Sequence, residues 1–340
     1  MRSINAAIIG CGAIHLNHAE ALRQIPGTRL HAIVDTNIAK GHALAAAYGC
    51  DFYHDYREML QDKNIQVVHI CTPHYLHKTM IVAALEAGKA VFSEKPVGMN
   101  SLEVAEIAAA AACATSLLGV CYQNRYNPTS KAIQDIIASN ALGKMLCIKA
   151  VLTWSRSGSY YTHSPWRGRF ATEGGSLLIN QAIHTLDLMQ WFAGGVDSVK
   201  GVVESSLLAG TIDTEDSAMA TFSLRNGARG LFWATNNHTT DSPLMLDIHC
   251  ENGELQLRDS ILWQICDGEK KALATDNSPV GQGKNYWGAG HQKAIEQFYQ
   301  AIQYKPGSEY IDIEQAAKSL SIVEAIYRSS QLRQWIDILN

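Results

Sequence analysis

Residues 4–25 read INAAIIGCGAIHLNHAEALRQI, and this stretch decides the fold. A strand-like run, Ile4 to Ile9, leads into a glycine-rich turn, and an Ala- and Leu-rich helical segment follows it. The same alternation continues along the first third of the chain, with further strands predicted at Leu30–Val34, Val67–Cys71, Ala90–Phe92 and Leu117–Cys121. Strands that alternate with helices predict a doubly wound parallel sheet with helices on both faces.

The turn GCGAIH, which starts at Gly10, lies between a strand and a helix as a dinucleotide-binding fingerprint requires. Gly10 permits the tight turn, Gly12 lets the backbone approach a pyrophosphate, and the helix start that follows offers N–H groups to the anion. Asp35 ends the second strand, where an acid can accept the hydroxyls of an adenosine ribose. Because an acid there would repel a 2′-phosphate, the sequence favours NAD over NADP. The alternative for Asp35 is a plain turn or helix-cap residue.

Two further strand ends carry candidate ligands, because ligands of open parallel sheets bind beyond the carboxyl ends of the strands. One strand runs into CTPHYLH, which contains Thr72, Pro73 and His77, and another runs into SEKPVG, which contains Glu94 and Lys95. A lysine between an acid and a proline, just past an apolar strand, is well placed to become a partly desolvated catalytic cation. The alternative is an ordinary exposed lysine, which is the commoner case.

Residues 174–195 read GGSLLINQAIHTLDLMQWFAGG and predict a helix whose amphipathicity is inverted. Asn180, His184 and Asp187 are spaced four and three apart on one face, and apolar residues cover most of the rest. Burying an amide, an imidazole and a carboxylate is costly unless they meet partners or a ligand, so this face is predicted to line a polar cavity. The alternative is a buried polar network that needs no ligand.

The alternation of strand and helix ends near Tyr122. We therefore predict a dinucleotide-binding domain over residues 1–122 and a substrate-binding and oligomerisation domain over residues 123–340. Long strand-like runs follow Met145, and turns at Asn226–Gly227 and Asn252–Gly253 predict hairpins between some of them. With a helix packed on one face, these runs predict an α+β domain with an open, mainly antiparallel sheet.

The segment WSRSGSYYTHSPWRGRFATEGG, residues 154–175, is too long for a simple connector and predicts a functional loop. Tyr160, Trp166 and Arg167 are candidates to close over a cofactor and substrate, because aromatic faces suit carbohydrates and guanidinium groups suit carboxylates. The alternative for each residue is ordinary anchoring of the loop to the core.

Taken together, these motifs resemble the Gfo/Idh/MocA oxidoreductases over essentially the whole chain. The features that carry the resemblance are GCGAIHLNHAEAL, Asp35, CTPHYLH, the EKP tripeptide at residues 94–96, WRGRF at residues 166–170 and GGSLLINQAIHTLD. The resemblance implies that Lys95 and His184 are the catalytic residues, beside the nicotinamide and the reacting carbon of a sugar or polyol. It also implies a cis peptide bond before Pro96.

The chain departs from the family pattern at Asn180, since many members carry an Asp four residues before the helix histidine. Asn cannot take up a proton. Asn180 is therefore expected to hold a substrate hydroxyl while His184 exchanges the proton.

The implied function is hydride transfer between NAD and a secondary hydroxyl or carbonyl of a sugar, polyol, inositol or sugar derivative. Two alternatives stay open: an NAD-using glycosidase of the same fold, and a non-catalytic regulatory protein that senses NAD or a sugar. No metal ligand is predicted. The predicted substrate ligands are Lys95, Gln123, Arg125, Tyr160, Trp166, Arg167, Asn180 and His184. The predicted cofactor ligands are Gly10, Gly12, Ala13, Ile14, Asp35, Cys71, Thr72, Pro73, His77, Glu94, Lys95 and Gln123.

Composition narrows the expected partners and location. With 28 basic and 32 acidic residues the net charge is −4, and no basic run suggests a nucleic-acid or membrane partner. The eight cysteines form no close CxxC pair and have mostly apolar neighbours, which is typical of reduced core residues in a cytoplasmic protein. No signal peptide or membrane span is expected. The family resemblance implies a homodimer or homotetramer built through the C-terminal sheet.

Overall fold

The computed structural model describes residues 3–276, 290–304 and 309–338. The chain divides into two compact units. The first comprises Met1–Gln123 and His291–Ala317, and the second comprises Asn124–Gly290 and Lys318–Asn340. The expected domains, residues 1–122 and 123–340, thus need a correction, because Gln123 and a C-terminal segment belong with the first unit.

A six-stranded parallel sheet forms the first unit, in the order β3-β2-β1-β4-β5-β6. β4 and β5 are buried along their whole length, as expected for strands covered by helices on both faces. The predicted doubly wound fold is confirmed; β3 was not predicted, because three residues are too few to show a periodicity. The strands are β1 (Ile4–Ile9), β2 (Thr28–Val34), β3 (Asp51–Tyr53), β4 (Val67–Ile70), β5 (Ala90–Glu94) and β6 (Leu118–Cys121), and the helices are α1 (His15–Gln24), α2 (Ile38–Tyr48), α3 (Tyr56–Leu60), α4 (His74–Glu86) and α5 (Ser101–Cys113).

The second unit opens with helices and continues as a large sheet. Its helices are a 3₁₀ turn (Gln123–Tyr126, which starts in the first unit), α6 (Pro128–Ala138), α7 (Gly158–Thr162), α8 (Phe170–Glu173), a π-helix (Leu177–Ala182) and α9 (Ile183–Phe192). Its strands are β7 (Met145–Thr153), β8 (Val196–Glu204), β9 (Ser217–Leu224), β10 (Arg229–Thr235), β11 (Met245–Cys250), β12 (Gly253–Arg258), β13 (Ile261–Cys266) and β14 (Glu269–Thr275).

The chain ends with α10 (Gly290–Tyr304), α11 (Ile313–Leu332) and β15 (Ile336–Asp337). α10 packs on the parallel sheet, where the Phe298 ring lies 5.3 Å from the Phe92 ring. A Cβ atom added to Gly119 would come within 2.6 Å of Phe298, so the helix approaches β6 closely. The amphipathic pattern of α10 predicts a helix but does not tell which sheet it covers, which explains the corrected boundary.

The sheet of the second unit has nine strands in the order β14-β13-β12-β11-β7-β10-β9-β8-β15. Neighbouring strands are antiparallel except β7 and β10, which are parallel. The predicted hairpin turns join β9 to β10 and β11 to β12. The expected open, mainly antiparallel sheet is confirmed.

Candidate functional site

The glycine-rich turn has the geometry that a dinucleotide pyrophosphate requires. Gly10 has φ +91°, and a Cβ atom at this position would lie 2.7 Å from the Cys71 carbonyl oxygen. Only glycine therefore fits between β1 and the end of β4. A Cβ atom on Gly12 would meet only the Cys71 oxygen, at 4.0 Å, and Gly12 and Ala13 are exposed just before α1. The turn leaves room for an anion at the start of the helix.

Asp35 joins this turn to the start of the next helix. Its Oδ2 accepts a hydrogen bond from the Cys11 backbone N–H at 2.8 Å, and its Oδ1 accepts one from the Asn37 N–H at 2.7 Å. The carboxylate is partly exposed at the end of β2. Asp35 thus has the turn role that was the alternative, and its partly exposed carboxylate is compatible with the expected ribose contact.

His77 lies behind the rim formed by Thr72 and Pro73. Its side chain is fully buried, with Nδ1 2.7 Å from the Pro96 carbonyl oxygen and Nε2 2.8 Å from the Thr72 carbonyl oxygen. His77 therefore links the loops after β4 and β5. This position differs from the expected direct cofactor contact, and it indicates that His77 shapes the rim from within.

Lys95 follows β5 and is partly exposed between two buried neighbours, Glu94 and Pro96. The Lys95–Pro96 peptide bond is cis, which confirms the expectation from the resemblance. Gln123 is 3% exposed, and its Oε1 accepts a weak hydrogen bond from the Cys121 thiol at 3.8 Å. The rim thus places an ammonium group at the carboxyl end of the sheet.

Glu94 belongs to a buried chain of polar side chains that the sequence did not reveal. His18 Nε2–H donates to Glu94 Oε1 at 2.9 Å, His18 Nδ1 lies 2.8 Å from His69 Nδ1, and His69 Nε2 lies 3.0 Å from the Tyr299 hydroxyl. Burial alone would raise the pKa of Glu94, but the hydrogen bond from His18 and the charges of His18, His291 and Lys95 hold it well below its usual range. Glu94 is thus fixed as an anion directly before Lys95.

The ligand atoms of Glu94, Cys121 and His291 lie within 4.8 Å of one another, close enough to share a metal ion. Burial and the charge of Glu94 raise the pKa of the Cys121 thiol well above its usual range, so without a metal ion the thiol stays protonated. We interpret the group as part of the hydrogen-bonded network around Glu94.

The segment predicted as one regular helix over residues 174–195 is a π-helix followed by α9. The Glu215 carboxylate accepts hydrogen bonds from the Leu178 N–H at 2.7 Å and the Ser176 N–H at 3.3 Å, which holds the start of the π-helix. Between residues 175 and 193 every residue is buried except Asn180, His184 and Trp191. The predicted polar face is therefore partly exposed at Asn180 and His184.

Asp187 does not take part in this accessible face. Its carboxylate is 1% exposed and forms a bidentate ion pair with Arg125, whose Nε and Nη2 lie 2.7 Å from Oδ2 and Oδ1. The Ser319 hydroxyl donates to Oδ1 at 2.7 Å, and the Arg125 guanidinium lies 5.3 Å from the centre of the Trp191 ring. Arg125, expected to contact substrate, is thus buried in a structural ion pair.

Glu173 is a residue of this region that was not predicted from the sequence. Its side chain is fully buried at the end of α8, and its Oε1 accepts a hydrogen bond from Asn180 Nδ2 at 2.6 Å. Burial raises the pKa of Glu173 to about 7. An acid directly ahead of the Gly174–Gly175 pair was the available sequence signal.

The loop of residues 154–175 forms a ladder of stacked aromatic rings and guanidinium groups. The Arg167 guanidinium lies 4.4 Å from the centre of the Tyr160 ring and 4.9 Å from the centre of the Trp166 ring, and that of Arg156 lies 5.2 Å from Tyr160. A pocket of about 330 Å³ beside it is lined by Ser157, Ser159, Tyr160, His163, Ser164 and Arg167. The structure thus brings the three predicted loop residues together.

Comparison with known families shows to which family the chain belongs. Residues 4–122 match the oxidoreductase family with an NAD-binding Rossmann fold, and residues 130–256 match the GFO/IDH/MocA C-terminal domain. The chain belongs to the Gfo/Idh/MocA family. NAD is its cofactor, and the geometry of Gly10, Gly12 and Asp35 fits that assignment.

Several proteins of the Gfo/Idh/MocA family are similar to the chain. The uncharacterized oxidoreductase YrbE of Bacillus subtilis is 29% identical over 67% of this chain and 65% of its own length, so the match spans less than two thirds of that relative. Levoglucosan dehydrogenase of Pseudarthrobacter phenanthrenivorans is 24% identical, with 99% of each chain covered.

Solved structures show the same fold over the full chain. Levoglucosan dehydrogenase in complex with NADH and levoglucosan superposes with a TM-score of 0.89 at 22% identity, with all of each chain covered. The WlbA dehydrogenase of Bordetella pertussis, in complex with NADH and UDP-GlcNAcA, has a TM-score of 0.87 at 26% identity and covers 100% of this chain and 99% of its own. Among the described residues, no helix combines the length and apolarity needed to cross a bilayer.

Asp35 provides a direct test of cofactor choice. Replacing Asp35 with Ser removes the charge that repels a 2′-phosphate, so the affinity for NADPH relative to NADH should rise by about 10-fold or more. Fluorescence titration of each reduced cofactor measures the two dissociation constants without any substrate. The control is Asp51→Ser on the neighbouring strand β3, where the replaced acid is exposed. An unchanged ratio in Asp35→Ser would remove the specificity role.

Proposed function

We propose that this protein is an NAD-dependent dehydrogenase that oxidises a secondary hydroxyl of a sugar, polyol, inositol or sugar derivative, or reduces the corresponding carbonyl. Two relatives point to this substrate class, since one is a levoglucosan dehydrogenase and the other is a dehydrogenase in complex with UDP-GlcNAcA. We also propose that the protein is cytoplasmic.

One observation carries the proposal. In a helical segment that is otherwise buried except at Trp191, Asn180 and His184 are partly exposed. Burying polar groups without partners is costly. Two polar side chains that remain partly exposed on an apolar helix therefore indicate a polar ligand. Hydroxyl groups suit both, because an amide oxygen accepts the hydroxyl hydrogen and a neutral imidazole accepts its proton.

The proposed roles follow from the chemistry of alcohol oxidation. When bound, the nicotinamide supplies the hydride acceptor. The hydroxyl must lose its proton as the carbon is oxidised, and His184 is proposed as the base because imidazole titrates near neutral pH. Lys95 is proposed to stabilise the negative charge that develops on the same oxygen. Asn180 is proposed to accept a hydrogen bond from a substrate hydroxyl.

The remaining ligands are proposed with two changes from the sequence prediction. Tyr160, Trp166 and Arg167 are retained as substrate contacts, since the aromatic and guanidinium ladder suits a sugar ring or an anionic substituent. Arg125 is omitted because its guanidinium is held by Asp187. His77 is moved to an indirect role. The proposed cofactor ligands are otherwise those predicted, with Gln123 proposed beside both cofactor and substrate.

The test is a screen of polyols, aldoses, inositols and sugar acids for NADH formation by its absorbance. We expect net reduction of added NAD by at least one compound. A glycosidase that uses NAD transiently would cleave glycosides with no net NADH, and a sensor protein would bind NAD and turn over none of the compounds. Either of these results would replace the proposed dehydrogenase.

We also propose a homodimer or homotetramer formed through the exposed face of the nine-stranded sheet. A row of apolar residues crosses this face, because Val202 pairs with Met219, Met219 with Trp233, and Trp233 with Val151. Val202, Met219 and Trp233 are 43%, 50% and 42% exposed. A continuous apolar row of this kind is typical of a protein–protein contact.

Trp233→Glu tests this interface. A carboxylate at the centre of the apolar row would be desolvated without a partner on association, so the variant should elute as a monomer where the wild type does not. Light scattering coupled to size-exclusion chromatography measures the mass. Leu102→Glu, at a residue 70% exposed on α5, is the matched control and should leave the mass unchanged. A wild-type monomer, or an unaltered Trp233→Glu oligomer, would contradict the proposed interface.

A further inference from the structure

Glu173 holds one end of the Asn180 side chain. The Glu173 Oε1 to Asn180 Nδ2 distance is 2.6 Å, and the second oxygen, Oε2, accepts a hydrogen bond from the Gly168 N–H at 2.5 Å. A carboxylate can only accept hydrogen bonds, so the group that faces Glu173 must be the NH₂ end of the amide. The Asn180 carbonyl oxygen, Oδ1, is therefore turned away from Glu173.

The two residues differ in access to solvent. Glu173 is 0% exposed, whereas Asn180 is partly exposed on the face that it shares with His184. Glu173 itself can therefore meet a ligand only through Asn180. A buried anion that bonds to the NH₂ group also polarises the amide and makes Oδ1 a stronger acceptor.

We propose that Glu173 is a positioning residue that fixes the Asn180 carboxamide with its oxygen presented to the substrate, so that the site selects a hydroxyl-group donor at this position. This inference rests on the proposed dehydrogenase function, and it names Glu173 as the residue that determines how Asn180 recognises the substrate. The proposed role explains why a carboxylate is buried in a short helix of the loop, where an uncompensated charge would be costly.

The arrangement makes substrate binding depend on pH. Burial raises the pKa of Glu173 to about 7; the hydrogen bonds from Gly168 and Asn180 and the charge of Arg167 lower it, and the charge of Glu215 raises it further. Tyr160, Tyr161 and Tyr327 also face Glu173, and burial raises the pKa of each hydroxyl, so they stay neutral. Below the pKa of Glu173 the neutral acid no longer requires the NH₂ end, and the amide orientation is lost. The KM for substrate should therefore fall as the pH rises through this pKa.

The kinetic test uses Glu173→Gln, Asn180→Ala and the double variant. Gln is nearly isosteric and still offers an oxygen to the Gly168 N–H, and melting curves check that each variant is folded. Loss of a charged hydrogen bond should raise KM by about 10-fold in Glu173→Gln with a smaller change in kcat, and it should flatten the pH dependence of KM. The pH dependence of kcat, assigned to His184, should persist. In the double variant KM should equal that of Asn180→Ala, because Glu173 acts through Asn180.

An unchanged KM in Glu173→Gln, or a double variant worse than Asn180→Ala, would overturn the proposal. If Glu173→Gln does not fold, Asn180→Ala alone tests the proposal. The KM of Asn180→Ala must then be independent of pH over the range in which Glu173 titrates.

A second measurement is independent of activity. In protein labelled with ¹⁵N-asparagine, the side-chain NH₂ signals of Asn180, identified by their loss in Asn180→Ala, should shift with a midpoint near the pKa of Glu173. Asn180 signals that ignore pH over this range, or that are unaltered by Glu173→Gln, would overturn the proposal even if no substrate is found. If the Asn180 signals shift with pH but no NADH is formed from any compound, the proposed function is rejected, whereas the proposed orientation of Asn180 is supported.

Discussion

Lys95→Ala and His184→Ala are each expected to lower kcat/KM by about 10²- to 10⁴-fold, the range typical of lost acid–base or electrostatic catalysis. His184→Ala removes the proposed proton acceptor, and Lys95→Ala removes the charge that is proposed to stabilise the substrate oxygen. His184 is not among the proposed cofactor ligands and Lys95 is one of many, and neither side chain belongs to the glycine turn or to Asp35, so NADH affinity should change little. Initial rates of NADH formation and fluorescence titration of NADH measure the two quantities.

Matched control variants distinguish a loss of catalysis from a non-specific loss of folded protein. Lys63→Ala and His238→Ala remove exposed side chains of the same types and should leave kcat/KM near the wild-type value. Wild-type turnover in both Lys95→Ala and His184→Ala would remove the catalytic assignment. A large loss of NADH affinity in His184→Ala would also contradict it, because His184 is proposed to act on the substrate.

The second large effect is expected at Asp187. Asp187→Ala leaves the Arg125 guanidinium, 6% exposed, without its bidentate partner, and it removes the acceptor of the Ser319 hydroxyl. Breaking a buried ion pair on one side costs about 3–5 kcal/mol of the free energy of unfolding. Urea denaturation measures this loss, and soluble expression is expected to fall with it.

Two comparisons sharpen the Asp187 experiment. Asp197→Ala breaks an ion pair with Arg225 at 3.9 Å in which the Asp197 side chain is 57% exposed, so it should cost less than about 1 kcal/mol. The double variant Arg125→Met/Asp187→Leu replaces both charges by apolar groups and should recover much of the lost stability. A cost of less than about 1 kcal/mol for Asp187→Ala would show that the pair carries little of the stability.

The parallel sheet could be predicted from sequence because its signals are local. A strand, a glycine-rich turn and a helix follow one another within residues 4–25, and Asp35 ends the next strand. Gly10 is required where its Cβ would meet the Cys71 oxygen, which is a contact that the motif itself encodes. The hairpins of the second unit were similarly visible in the Asn-Gly turns.

The features that could not be predicted depend on residues far apart in the chain. His18, His69 and Tyr299 form a chain of contacts that ends at Glu94 only after the sheet and α10 have assembled, and none of them has an unusual local sequence. The π-helix is held by Glu215, which lies well beyond it in the chain. Asp187 has the spacing of a partner for His184, but Arg125 pairs with it.

Transfer of deuterium tests the central claim most directly. A substrate from the screen, labelled with deuterium at the carbinol carbon, is incubated with the protein and NAD, and the reduced cofactor is examined by mass spectrometry. We predict NADH that carries one deuterium from the substrate, formed by the wild type and almost absent with His184→Ala. Reduced cofactor without deuterium, or labelled substrate consumed with no net NADH, would contradict the account.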